Sequence, residues 1–167
     1  KGVHTIDLAG CKITNKGLEH LKGVQNIKLK CARVTDDGMK WLKGAHIIDI
    51  TSCRQITDEG LEYLKGAHTI NLSLCNKITN KGLEHLKGIH TINISSCNAI
   101  TNEGLKHLIG VHTINLRSCT QITNEGLKYL AGVHNISMSK CDQITDEGLK
   151  YLTGVHTIDL GYCKQIT

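Results

Sequence analysis

Two columns of reactive side chains run through this chain at a fixed spacing. One is cysteine: Cys11, Cys31, Cys53, Cys75, Cys97, Cys119, Cys141 and Cys163. The other is histidine: His4, His46, His68, His90, His112, His134 and His156, with Gln25 in the gap. A thiolate can attack an electrophile or ligate a metal, and a neutral imidazole can bind Zn²⁺ or Ni²⁺ or move a proton. The spacing argues against most of that chemistry. Members of each column recur with the repeat, so each Cys meets the same surroundings, and no CxxC or CxxH pair starts a zinc site. The cysteines are read as a structural ladder of buried, reduced thiols.

The histidines predict rings about one strand spacing apart, each packed on the next copy. Adjacent neutral imidazoles offer a capture point for Zn²⁺ or Ni²⁺, but no carboxylate completes a set, so no metal is expected. Protonating a stacked row sets like charges against each other, which makes pH sensing a third reading. Ser and His recur as scaffold, so no Ser-His-Asp group can be placed. The glycines recur singly, and no phosphate loop is visible. The expectation is a chain that is not an enzyme and uses no cofactor.

The positioning elements follow from one stretch. Gly110–Ala131, GVHTINLRSCTQITNEGLKYLA, returns at Gly44, Gly66, Gly88 and Gly132 with a 22-residue period. Copies from Gly2 and Gly23 are one residue shorter, and a partial eighth copy runs from Gly154 to Thr167. A period of this size marks a solenoid. Ile114 and Leu116 alternate with polar neighbours, as in a short strand with one buried face. His112 falls in the bend before it. Thr123, or Asn124 one place on, is a helix N-cap, with Ile122 and Leu127 at hydrophobic-staple spacing. Acids at this point, as in Asp58-Glu59, oppose the positive end of the helix dipole. Leu127 and Leu130 share one helix face, and Gly132 stops the helix. Each repeat therefore reads as strand, loop, short helix, loop. Parallel strands are narrower than helices, so the stack must curve with its sheet concave.

Composition suits a thin core. The 167 residues include no Pro and no Phe, and aromatics are 3%, so Ile, Leu, Val and Cys must fill it. Net charge is +5 without a block of like charges, which gives no sign of nucleic-acid binding. No long apolar run suggests a membrane span. Reduced thiols point to the cytoplasm or nucleus.

The pattern LxxLxLxxCxxITxxGLxxL, carried by Val111, Ile114, Leu116, Cys119, Ile122, Thr123, Gly126, Leu127 and Leu130, resembles leucine-rich repeats. Cysteine followed by IT[DN] is similar to the cysteine-containing subclass found in F-box substrate receptors of ubiquitin ligases. Repeat arrays of giant viruses and amoebae look similar. The resemblance implies an α/β leucine-rich-repeat solenoid, with a concave parallel sheet of about eight strands and short helices on the convex side. It implies a protein-interaction scaffold that binds a protein partner through the concave face. The alternatives are the substrate arm of an F-box ligase and an array with no ligand, engineered or consensus-like. No F-box-like helical segment stands in this sequence.

Variable positions on the concave face are the candidate contacts: Lys28, Lys30, Asp49, Asn71, Asn93, Asn115, Arg117 and Tyr162. Only Arg117 and Tyr162 are of the types that anchor interfaces. The second repeat departs most, with Lys28, Lys30, Arg33 and the sole Trp, Trp41. Its cations form a basic patch for an acidic partner, or reflect drift near the array end. Trp41 takes the helix slot that His20, Tyr63, His85, His107, Tyr129 and Tyr151 fill elsewhere. Residues 1–167 read as one solenoid that begins and ends within a repeat. It is either a fragment of a longer array or a unit whose ends meet head to tail.

Overall fold

A computed structural model describes residues 3–30 and 33–167; the repeat start at Gly2 and the thiol of Cys31 lie outside them. Each repeat contributes one three-residue strand: β1 Thr5–Asp7, β2 Asn26–Lys28, β3 Ile47–Asp49, β4 Thr69–Asn71, β5 Thr91–Asn93, β6 Thr113–Asn115, β7 Asn135–Ser137 and β8 Thr157–Asp159. They form one parallel sheet in chain order. Register follows the repeat: Thr91 lies beside Thr113, and Ile92 beside Ile114. The central Ile of β2 to β7 is buried and its neighbours face out, which is the two-residue period of a half-covered strand.

Among the described residues seven helices back the sheet: α1 Asn15–Glu19, α2 Asp36–Met39, α3 Asp58–Leu61, α4 Asn80–Glu84, α5 Asn102–Leu105, α6 Asn124–Leu127 and α7 Asp146–Leu149. Four of them, α2, α3, α5 and α6, run on into a tighter 3₁₀ turn. Strands need about 4.8 Å each and helices about 10 Å, so the sheet lines the inside of the bend. The core between the layers is Ile, Leu, Val, Met, Ala and Cys.

The thiols stitch consecutive repeats. Cys75 Sγ–H donates to the Ile50 carbonyl at 3.1 Å, Cys97 to Leu72 at 3.2 Å and Cys119 to Ile94 at 3.1 Å. Cys141 and Cys163 do the same to Leu116 and Met138. Burial pushes the Cys75 and Cys119 thiols up to about 12, and those of Cys97 and Cys141 up to about 11. These thiols stay protonated and unreactive at neutral pH. Cys11 corrects the ladder reading: it is exposed, because a ladder thiol is covered by the preceding repeat and no described strand precedes β1.

A second ladder was not foreseen from the sequence. Thr101 N–H donates to Asn80 Oδ1 at 2.9 Å, and Asn80 Nδ2 donates to Thr101 Oγ1 at 2.8 Å. The pattern repeats from Asn15 to Asp146, with Asp36, Asp58 and Asp146 accepting from both the N–H and the hydroxyl of the next Thr. The residue after each cap therefore serves its neighbour's cap. Thr123 is the N-cap as expected, and it accepts from Glu125 N–H.

Strand exits are tight turns. Cys75 N–H reaches the Leu72 carbonyl, and the third residue, Leu74, sits at φ 64°. Ser52, Ser96, Ser118, Lys140 and Tyr162 share that left-handed conformation, where the first repeat uses Gly10. The conformation favours Gly or Asn. Leu74 is 43% exposed, so it has little packing to lose. Leu74→Asn is expected to raise stability by about 1 kcal/mol, read from the urea midpoint. A lower midpoint would show that Leu74 contacts outweigh the strain.

Candidate functional site

The outward face of the sheet is one open surface to which every described strand contributes. Its first row is Thr5, Asn26, Ile47, Thr69, Thr91, Thr113, Asn135 and Thr157. The hydroxyls of Thr69, Thr91 and Thr113 lie 3.2 Å from Nδ1 of His68, His90 and His112. In the second row, Asp49, Asn71, Asn93 and Asn115 each accept, through Oδ1, the main-chain N–H two residues on. One oxygen of each candidate contact is thus committed to its own strand-exit turn. The third row, which includes Thr51, Ser73, Ser95, Arg117 and Ser139, is partly closed. Ser73 and Ser139 are buried there, since the chain is already turning inward.

The charged candidates do not gather in one place. Lys28 Nζ holds Asp7 at 3.2 Å across β1 and β2, while Lys30 is exposed. Four repeats away, the Arg117 charge reaches Asp159, whose carboxyl is held below its ordinary value mainly by Gly161 N–H and Ser137. Tyr162 is 79% exposed, with Lys140 Nζ 5.7 Å from its ring centre. Trp41 fills the helix slot assigned to it, half-buried, with Lys40 Nζ 5.0 Å from its ring.

Two of the concavities at the first three repeats are lined by candidate residues. A depression of ≈ 320 Å³ on the sheet face is lined by Ile6, Asn26, Ile27, Lys28 and Ile47 among others. A cleft of ≈ 190 Å³ is lined by Gly10, Cys11, Lys12, Ile13, Lys30 and Arg33. Lys12 was not singled out from the sequence. The signal was the shortened loop of the first repeat, which sets Lys12 directly before Ile13.

The histidines form a ribbon. His46, His68, His90, His112, His134 and His156 stack with ring centres 4.8, 4.4, 4.6, 4.5 and 3.8 Å apart. Among the described residues no group of three His, Cys, Asp or Glu can hold a metal ion. His68 and His112 are held below the ordinary imidazole value of 6.5, first by partial desolvation and then by neighbouring imidazoles. On acidification the unfolded chain therefore takes up these protons first. Stability should be lost as pH falls from 6.5 towards the lowered value, and the loss is complete below it. A thermal melt series from pH 7.5 to 5.5 should show a falling Tm that His68→Asn and His112→Asn flatten. An unchanged Tm across that range would disconnect the ribbon from stability.

The Leucine Rich repeat family matches residues 3–22, 46–65, 68–87, 89–108, 111–131 and 135–152, most of the chain. Among curated proteins no sequence matches. Solved structures share the fold. Rad7 in its complex with Elc1 in yeast is 13% identical, TM-score 0.71, over 87% of this chain and 44% of that one. The Toll–Spätzle complex of Drosophila gives 14%, TM-score 0.73, 94% and 23%. Internalin C2 of Listeria monocytogenes gives 19%, TM-score 0.65, 94% and 80%. This chain thus spans less than half the length of the first two. No helix among the described residues is long and apolar enough to cross a membrane. Eight in-register strands, a thiol under each of the later ones and the matched repeats place the chain together: it belongs to the leucine-rich-repeat family.

Proposed function

We propose that this chain is a non-enzymatic scaffold that binds a protein partner through the outward, concave face of its sheet. One observation carries the reading: the face is continuous over eight strands and offers open Thr and Asn side chains beside an apolar depression at Ile47. Leucine-rich-repeat domains commonly bind proteins in this way. Thr69→Arg/Thr113→Arg adds bulk to the face and replaces no buried side chain. A partner retained from source-cell extract by the native chain and lost with this variant supports the reading. Capture that is insensitive to the variant overturns it. The protonated thiols support residence in a reducing compartment, the cytoplasm or nucleus.

A second reading is the substrate arm of an F-box ubiquitin ligase. It is supported by the cysteine-containing repeat, with Cys119 followed by Ile122-Thr123. An F-box encoded upstream in the full gene would favour it.

A further inference from the structure

Seven of the twenty Lys and Arg residues hold a carboxylate among the described residues. Lys28, Lys65, Lys87, Lys106, Lys128, Lys150 and Lys164 each hold an Asp or Glu. The cleft of the first two repeats gathers three of the others in one place. Lys12, Lys30 and Arg33 line one ≈ 190 Å³ concavity, and among the described residues none of them holds a carboxylate. Three like charges around a concave wall repel one another, and they focus a positive field into the cleft. An anion seated there reverses the sign of that interaction, and the Arg33 guanidinium offers a two-pronged donor for a carboxylate.

Charge alone does not fix a ligand at an exposed site, because single surface ion pairs are worth little. An independent feature lies next to the cleft. In the first outward row seven of the eight positions are Thr or Asn, and the eighth is Ile47, 41% exposed on the floor of the sheet-face depression. An exposed β-branched apolar residue in a polar row is a place for an apolar side chain to bury area. Ile47 pairs with Asn26, and Lys30 lies four residues further along the same strand direction. At about 3.3 Å per residue, an extended segment of five residues bridges the two points. Lys28, between them, is already neutralised by Asp7.

We propose that the cleft and Ile47 together bind an acidic segment of a partner protein, with carboxylates among Lys12, Lys30 and Arg33 and one apolar side chain on Ile47. This names the partner chemistry for the scaffold reading above and rests on it. The exposed Cys11 lines the wall of the cleft and takes no part in the chemistry.

The test is fluorescence anisotropy with the full chain and a labelled peptide, Glu-Glu-Ser-Gly-Ser-Leu, against Gln-Gln-Ser-Gly-Ser-Leu and Glu-Glu-Ser-Gly-Ser-Ser. The first peptide should bind at least tenfold more tightly than the Gln version, and several-fold more tightly than the version ending in Ser. Lys30→Glu/Arg33→Glu should weaken binding at least tenfold, with Lys30→Gln/Arg33→Gln as the milder variant. Lys43→Glu/Lys81→Glu makes the same change in net charge elsewhere and should leave binding intact. Ile47→Thr, the residue other strands carry, should abolish the preference for Leu while keeping the preference for Glu over Gln. Equal binding of the Glu and Gln peptides overturns the proposal. So does equal weakening by the Lys43/Lys81 variant, which reduces the effect to net charge, or an Ile47→Thr chain that still prefers Leu. Any of these outcomes leaves the scaffold reading to the capture experiment with Thr113→Arg alone, which lies three strands from Ile47.

Discussion

Gly104→Ala is expected to lower stability by about 2 kcal/mol, although Ala gains about 1 kcal/mol over Gly in helix propensity. The Cβ would meet Asn80 Oδ1 of the preceding repeat at 2.6 Å, with Ile100 Cγ2 and Leu83 Cδ1 at 3.1 Å. Such overpacking costs about 1–3 kcal/mol, and moving Asn80 aside loosens two hydrogen bonds to Thr101 worth about 1 kcal/mol each. Steric and ladder losses therefore outweigh propensity. The mechanism makes a sharper statement about the pair. Asn80→Ala by itself should destabilise, because Thr101 loses its partner. Asn80→Ala with Gly104→Ala should cost at least about 1 kcal/mol less than the two single changes together. Urea unfolding of the four proteins measures this directly, and additive costs would remove the contact as the cause.

Leu105→Ala should cost about 2–5 kcal/mol, the range for truncating a buried leucine in a core that cannot fully collapse. Leu105 is fully buried, and the helix that carries it is flanked by α4 and α6. In a stacked array that loss falls on one repeat and its two interfaces. Ile109→Lys is the matched contrast. Ile109 is 65% exposed and stands where earlier repeats carry Lys22, Lys43, Lys65 and Lys87. Its effect should stay within about 0.5 kcal/mol. If both variants shift the urea midpoint equally, the division between core and surface drawn here is wrong.

Much of this was legible in the residues. The alternation at Ile114 and Leu116, the Thr123 cap, the Gly132 stop and the 22-residue period gave strands, helices and their order, because those signals act within one repeat. The candidate contacts were legible as positions and less so as chemistry. Asn71, Asn93 and Asn115 lie on the outward face as expected, yet each spends an oxygen on its own turn. Lys28 and Lys30 look equivalent in the sequence, but the cross-strand neighbour Asp7 forms its ion pair with Lys28 and acts on Lys30 only from further off.

The sequence by itself determined the apolar positions that fill the core and that the units must stack, since burial in a repeat follows a one-dimensional pattern; Cys11, Ser73 and Ser139 depart from it because their exposure depends on the neighbouring unit. The stacking distance between neighbours decided the rest. It joined Asn80 to Thr101 and Cys97 to the Leu72 carbonyl, set the imidazoles face to face, and brought Lys12 to the same cleft as Lys30 and Arg33. These contacts join residues about one repeat apart, and their geometry is fixed by how two units settle against each other, which no single unit encodes.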